Sequence, residues 1–230
     1  MMSEILTEQI AYYRARATEY DEWWHNQGRY DKGEIINQQW RDEGAEVRAV
    51  LHKIPKQAHI LELASGTGIW TQELLKISEK VTCVDASPEM IAINQAKVQS
   101  ERVDYIQADL FTWQSEQQYD MIFFSFWLSH VPSDQLQGFL KRVSTMLKPD
   151  GILFLVDSQA TLNATASNQT MRTDTTVHQR ILNDGREFKI IKVFYEPNAL
   201  QSELEAVNII ADVHLTKQFF IYAQGRKVTS

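Results

Sequence analysis

Glu62, Gly66, Gly68, Asp85, Asp109, His130 and Asp157 are residues whose types and spacing could do chemistry. Gly66 and Gly68 end the segment ILELASGTG that begins at Ile60, and glycine there permits a tight bend and close approach of backbone to a ligand. A helix starting behind such a bend offers free amides and the positive end of its dipole to a carboxylate or phosphate. Asp85 follows Gly68 by 85 − 68 = 17 residues and ends an apolar run, where a carboxylate can grip a cis-diol through two charge-assisted hydrogen bonds. The plainer role for Asp85 is an acid at a helix N-terminus, before Ser87 and Pro88. Glu62 lies within an apolar run, which is costly without a partner; a bound ammonium meets that need, as would a buried structural contact. His130, in the segment FWLSHVP, carries an imidazole whose ordinary pKa of about 6.5 suits proton transfer, although it could equally cap the next helix. A dinucleotide site needs a third glycine three residues after Gly68, where Thr71 stands, and a P-loop needs Gly-Lys-Ser/Thr where Ile69 and Trp70 follow.

The elements that must position these residues alternate. Strands are expected at 58–63, 80–84, 103–107, 119–126 and 151–157, with helical patterns at 69–77, 88–99 and 134–147 between them. That rhythm implies a parallel sheet with right-handed crossovers. Residues 3–54 read as helices rich in aromatic and charged residues, split at Gly28 and Gly33 and ended by Pro55. Beyond Asp157 the pattern changes to a polar stretch over 158–175, read as a loop or short helix. Two strands at 177–182 and 186–195 follow, flanking the hairpin signal Asn183-Asp184-Gly185. A helix over 197–209 and a closing strand over 213–223 complete the chain.

Size and composition narrow the class. The 230 residues, 43% of them hydrophobic, fit one α/β domain with additions. A formal charge of −7 argues against gripping nucleic acid through its phosphates. The single cysteine, Cys83, lies in an apolar run and allows neither a disulfide nor a cysteine-rich metal site, which suits a reduced cytoplasm. No apolar run is long enough to span a bilayer, so a soluble cytoplasmic protein is expected.

Taken in order, these motifs resemble the class I S-adenosylmethionine-dependent methyltransferases over roughly residues 12–158. Glu62 to Gly68 resembles the family's first motif, Val81 to Asp85 its second strand ending in the ribose-binding acid, and Ala108-Asp109-Leu110 the segment that contacts adenine. Residues 119–125 resemble its fourth strand and 147–153 its turn into the fifth; Ala64 departs from the usual glycine. The resemblance implies a doubly wound, mostly parallel seven-stranded sheet with helices on both faces, an N-terminal helical lid and a small antiparallel β insertion. It implies one domain over residues 1–230, divided into a lid (1–55), a cofactor-binding core (56–158) and a tail (159–230). S-adenosylmethionine, with S-adenosylhomocysteine as product, would be held by Glu62, Ala64, Gly66, Gly68, Asp85, Ala86, Met90, Ala108, Asp109, Leu110, Ser125 and Phe126, with Tyr12 and Arg16 from the lid; no metal is implied.

Methyl transfer from a sulfonium is an in-line displacement helped chiefly by alignment and desolvation, and some acceptors also need a base. His130, Tyr20 and Asp157 are the catalytic candidates; Tyr13, Trp127, His130, Ser158, His178 and Arg180 are the acceptor-binding candidates. Tyr12, Arg16 and Tyr20 are four residues apart and share one helical face that could close the site. The acidic surface and aromatic lid favour a small organic acceptor, methylated on oxygen, nitrogen or carbon, and a monomer or homodimer. The Asn/Asp-Pro-Pro-Tyr segment of DNA base methyltransferases, the reactive cysteine of cytosine C5 enzymes and the paired glutamates of arginine methyltransferases are all absent from the segment SFWLS at 125–129 and its surroundings. An RNA or protein methyltransferase working with a partner, or a cofactor-binding module without activity, are the competing readings.

Overall fold

A computed structural model describes residues 2–161, 164–167, 169 and 174–228. The first strand, β1 (Gln57–Leu63), lies in the interior of a seven-stranded sheet with β2 (Ser78–Asp85), β3 (Val103–Gln107), β4 (Tyr119–Ser125), β5 (Leu147–Ser158), β8 (Ile209–Leu215) and β9 (Phe220–Lys227), in the order β3-β2-β1-β4-β5-β9-β8. The first five are parallel; β9 runs antiparallel to both β5 and β8. The strands β6 (Val177–Ile181) and β7 (Glu187–Ile191) form a separate antiparallel pair. The helices are α1 (Met2–Arg16), α2 (Tyr20–Trp24), α3 (Glu34–Leu51), α4 (Thr71–Leu74), α5 (Pro88–Val98), α6 (Ser133–Met146) and α7 (Pro197–Glu205).

The strands are apolar on both faces because both are covered. Leu61, Leu63, Ile122, Phe124, Leu153 and Leu155 face α6 and α7, while their neighbours Ile60, Met121, Phe123, Ile152, Phe154 and Val156 face α3 and α4. The expected mixed sheet and the small β insertion are thus present.

The boundaries differ from expectation in places. The helix expected over 197–209 stops at Glu205, and the single closing strand over 213–223 is instead the hairpin β8 and β9. Residues 209–213 alternate between buried and less buried, the period of a strand, and this short alternation was hidden behind the preceding helical pattern. Gly225 permits the close pairing of the two strands, since a Cβ there would lie 2.6 Å from that of Ala211. The helix expected over 69–77 is a single turn, Thr71–Leu74, and β2 begins at Ser78 rather than at 80. β5 starts at Leu147 rather than at 151.

The N-terminal helices lie over the carboxyl edge of the sheet and are tied down by ion pairs. Arg14 on α1 pairs with Glu89 on α5, and Asp21 on α2 with Lys97 on α5. Gln9 on α1 reaches β7, accepting from the Ile191 amide at 2.9 Å.

Candidate active site

The glycine turn after β1 places Ala64, Gly66 and Gly68 at φ of 53°, 53° and 85°. At Gly68 a side chain is excluded twice, by its dihedral and by Asn94, whose Oδ1 would lie 2.5 Å from a Cβ. Asp85, at the end of β2, organises this turn: its Oδ2 accepts from the Gly66 amide at 2.8 Å and its Oδ1 from the Ser87 amide at 2.9 Å. Ser87 then caps α5, accepting from the Met90 amide at 3.1 Å. Burial raises the Asp85 carboxyl above its ordinary pKa, and the amides of Ser87, Gly66 and Ala86 oppose that rise.

A cleft of about 650 Å³ opens beside the turn. It gathers Ala64, Gly66, Asp85, Ala86, Met90, Asp109, Leu110, Ser125, Phe126, Trp127 and His130 from the core, and Tyr13 and Tyr20 from the lid. Gln9, Ile10 and Phe111, which no local motif marks, also line it. An acid beside glycine-turn amides, a second acid at Asp109 and an apolar slot at Met90 and Leu110 fit a diol-bearing, flat-ringed ligand such as an adenosyl group.

Glu62 does not line this cleft. It is buried beneath the turn, where its Oε2 accepts from Thr71 Oγ1 at 2.6 Å and from Cys83 Sγ at 3.3 Å. Burial pushes its carboxyl up to about 8 from 4.5. A proton therefore stays on the folded state at pH values where the unfolded chain has lost it. The corresponding stability is fully present below about 4.5 and is lost as pH rises toward about 8, at up to roughly 1.4 kcal/mol per pH unit. Glu62→Gln should flatten the melting temperature between pH 5 and 8 in a thermal scan; an unchanged slope would show that Glu62 is ionised in the fold.

A second cavity of about 630 Å³ adjoins the cleft and shares Tyr13, Tyr20, Phe126 and His130 with it. Its further walls include Tyr12, Tyr30, Ser158 and three cations, Arg16, Arg180 and Lys192. The Arg16 guanidinium lies 4.8 Å from the ring centre of Tyr20 and 5.7 Å from that of Tyr30, and its buried Nε finds no partner among the described residues. Lys192 is buried: its Nζ donates to Ser129 Oγ at 2.8 Å, Asp157 Oδ1 at 3.2 Å and Ser158 Oγ at 3.4 Å. Burial lowers its pKa against the opposing pull of Asp157. Asp157 also accepts from the amides of Ser129 and Ser158, so both of its carboxylate oxygens are engaged.

His130 follows β4, with Nδ1 2.6 Å from the Ile191 carbonyl and Nε2 2.7 Å from Tyr13 Oη. Its pKa is pushed well below the usual imidazole value, first by burial and then by Lys192, so the environment opposes the protonated form that a base must reach. His178 is buried on β6, with Nε2 3.0 Å from the Thr175 carbonyl, and lines neither cavity. Gly68 and Ala108 are likewise absent from both walls. Behind the shared residues stands an indole cluster, with Trp23 edge-on to Phe126 at 4.6 Å and to Trp40 at 5.2 Å.

Comparison with known proteins points to methyl transfer. Residues 60–151 match the family described as "Methyltransferase domain". Over 76 residues, 32% of this chain, the sequence is 36% identical to malonyl-[acyl-carrier protein] O-methyltransferase 1 of Ilyobacter polytropus, covering 28% of that protein. It is 29% identical over 137 residues to a ubiquinone biosynthesis O-methyltransferase of Coxiella burnetii, covering 58% of this chain and 55% of the relative. The chain thus spans less than two thirds of either curated relative. A solved structure described as a DhpI-SAH complex superposes with a TM-score of 0.79 at 32% identity, covering 98% of both chains. No helix among the described residues is long and apolar enough to cross a membrane. The chain belongs to the class I S-adenosylmethionine-dependent methyltransferases.

Proposed function

We propose that this protein transfers the methyl group of S-adenosylmethionine to a small organic acid held in the second cavity. The observation that carries this reading is the placement of Arg16, Arg180 and Lys192 around a cavity that joins the donor cleft through four shared side chains. One of these charges, Lys192, is offset by Asp157; among the described residues that line the cavity, Arg16 and Arg180 leave an excess of positive charge. Buried cations cost free energy unless an anion meets them, and a bound acid would do so.

The donor supplies an activated methyl on a positively charged sulfur. Asp85 and the glycine turn would hold its adenosyl and amino acid parts, with Asp109 and Leu110 lining the same cleft, and the cations would orient the acceptor. None of the candidate residues is well suited to act as a base: His130 is held neutral, burial raises Tyr13 and Tyr20 above their usual phenol values, and Asp157 is engaged by Lys192. The acceptor atom is therefore nucleophilic on arrival, as an oxyanion or an amine is. Roofing by α1 favours a small molecule over RNA or protein.

Pools of carboxylic acids, phosphate monoesters, phenols and amines should be screened for S-adenosylhomocysteine production. Turnover is expected with acids, and Arg180→Gln should raise KM for the acid at least ~10-fold with a smaller change in kcat. Turnover confined to neutral compounds or to macromolecules would sink the reading.

A further inference from the structure

Tyr13 stands where the two cavities meet. Any group that passes from the donor cleft to the acceptor cavity must cross between the side chains common to both, namely Tyr13, Tyr20, Phe126 and His130. The hydroxyl of Tyr13 is fixed there by a definite hydrogen-bond order. The Ile191 carbonyl can only accept, so the Nδ1 that lies 2.6 Å from it carries the imidazole hydrogen. A neutral ring then leaves Nε2 bare, and Tyr13 must donate its own hydrogen across the 2.7 Å contact. Gln9, one helical turn before Tyr13 on α1, clamps the same unit: it donates to the His130 carbonyl at 3.1 Å and accepts from the Ile191 amide at 2.9 Å. With its hydrogen committed to His130, the Tyr13 oxygen presents lone pairs only.

A sulfonium polarises the C–H bonds of its methyl group, and a lone-pair oxygen in a dry site is a suitable acceptor for them. We propose that Tyr13 Oη receives the methyl C–H groups of the sulfonium at this threshold, and that His130 is the positioning residue that turns the Tyr13 lone pairs toward it. This rests on the methyl-transfer reading above. The groups facing His130 favour the arrangement: Arg16 on α1, Arg180 on β6 and Lys192 just after β7 are all cationic, Asp157 is taken up by Lys192, and Tyr13 is held as a neutral phenol by burial. No proton needs to pass along the pair.

The test compares binding of S-adenosylmethionine, which has the methyl, with that of S-adenosylhomocysteine, which lacks it, by calorimetry and without any acceptor. Tyr13→Phe should weaken the methylated ligand by about two- to fivefold while leaving the demethylated one nearly unchanged. His130→Leu should reproduce the loss. His130→Gln, which keeps an acceptor at the far end of its side chain, should restore most of the preference. The methyl proton resonance of bound 13C-methyl S-adenosylmethionine should move upfield in Tyr13→Phe. Equal weakening of both ligands would reduce Tyr13 to a packing role and overturn the proposal. Loss of the preference in Tyr20→Phe instead would overturn it too, as would a pH–rate limb near neutrality that His130→Gln erases. Failure of the wild type to bind either ligand would overturn the methyl-transfer reading itself, whereas wild-type binding with an unaltered preference in Tyr13→Phe overturns only the role given to Tyr13.

Discussion

Asp85→Ala is expected to weaken S-adenosylmethionine binding at least ~100-fold. The carboxylate has two tasks in the proposed site, and alanine ends both. It holds the Gly66 and Ser87 amides at 2.8 and 2.9 Å, which fixes the turn against the start of α5, and it faces the cleft where a ribose diol would bind. Removing it leaves two inward-facing amides without their acceptor, so the variant loses preorganisation as well as a direct contact. Asp85→Asn keeps one carbonyl oxygen for an amide and should fall between, at roughly tenfold. Calorimetric titration of the three proteins checks the series. An Asp85→Ala affinity within threefold of wild type would remove Asp85 from the donor site.

Lys192→Met should be the most damaging of the cavity substitutions to the fold. It strands a carboxylate that is 2% exposed, and breaking a buried ion pair from one side costs about 3–5 kcal/mol. In a chain of 230 residues that lowers the melting temperature by roughly 10 °C. Adding Asp157→Asn should recover most of the loss, because the neutral amide no longer needs a counter-charge. Chemical denaturation of the single and double variants measures the coupling. If the double variant is as unstable as the sum of the singles, the two residues act independently. The double variant is also informative about the acceptor, since it should fold while retaining only Arg16 and Arg180 to bind an acid.

Much of the architecture was legible because its signals are local. The apolar runs of β1, β2, β4 and β5 are too short and too β-branched or aromatic for helices, and the Asn183-Asp184-Gly185 turn marks the β6–β7 hairpin directly, with Gly185 at φ 88°. The β8–β9 hairpin was not legible as two strands, since Thr216 to Phe219 carry no glycine or asparagine to signal a reversal. Residues along the donor cleft stand close behind strand ends, so order along the chain nearly gives their position. The acceptor side is different. Lys192 pairs with Asp157 across 35 positions, and the Tyr13–His130 contact spans 117. Neither partner announces the other in sequence. Glu62 shows the same limit in reverse: an acid in an apolar strand signals a partner, but only the packing reveals Thr71 and Cys83 beneath the turn.

The indoles at the junction give the protein a built-in optical gauge. Trp127 borders the donor cleft and Trp23 borders the acceptor cavity while touching Phe126, so each compartment has its own fluorophore within contact distance of an arriving ligand. Filling the first compartment should perturb emission from one indole and filling the second that from the other. Single Trp→Phe replacements would separate the two signals, so that occupancy of the acceptor cavity can be read as a change in intrinsic fluorescence before the acceptor has been identified.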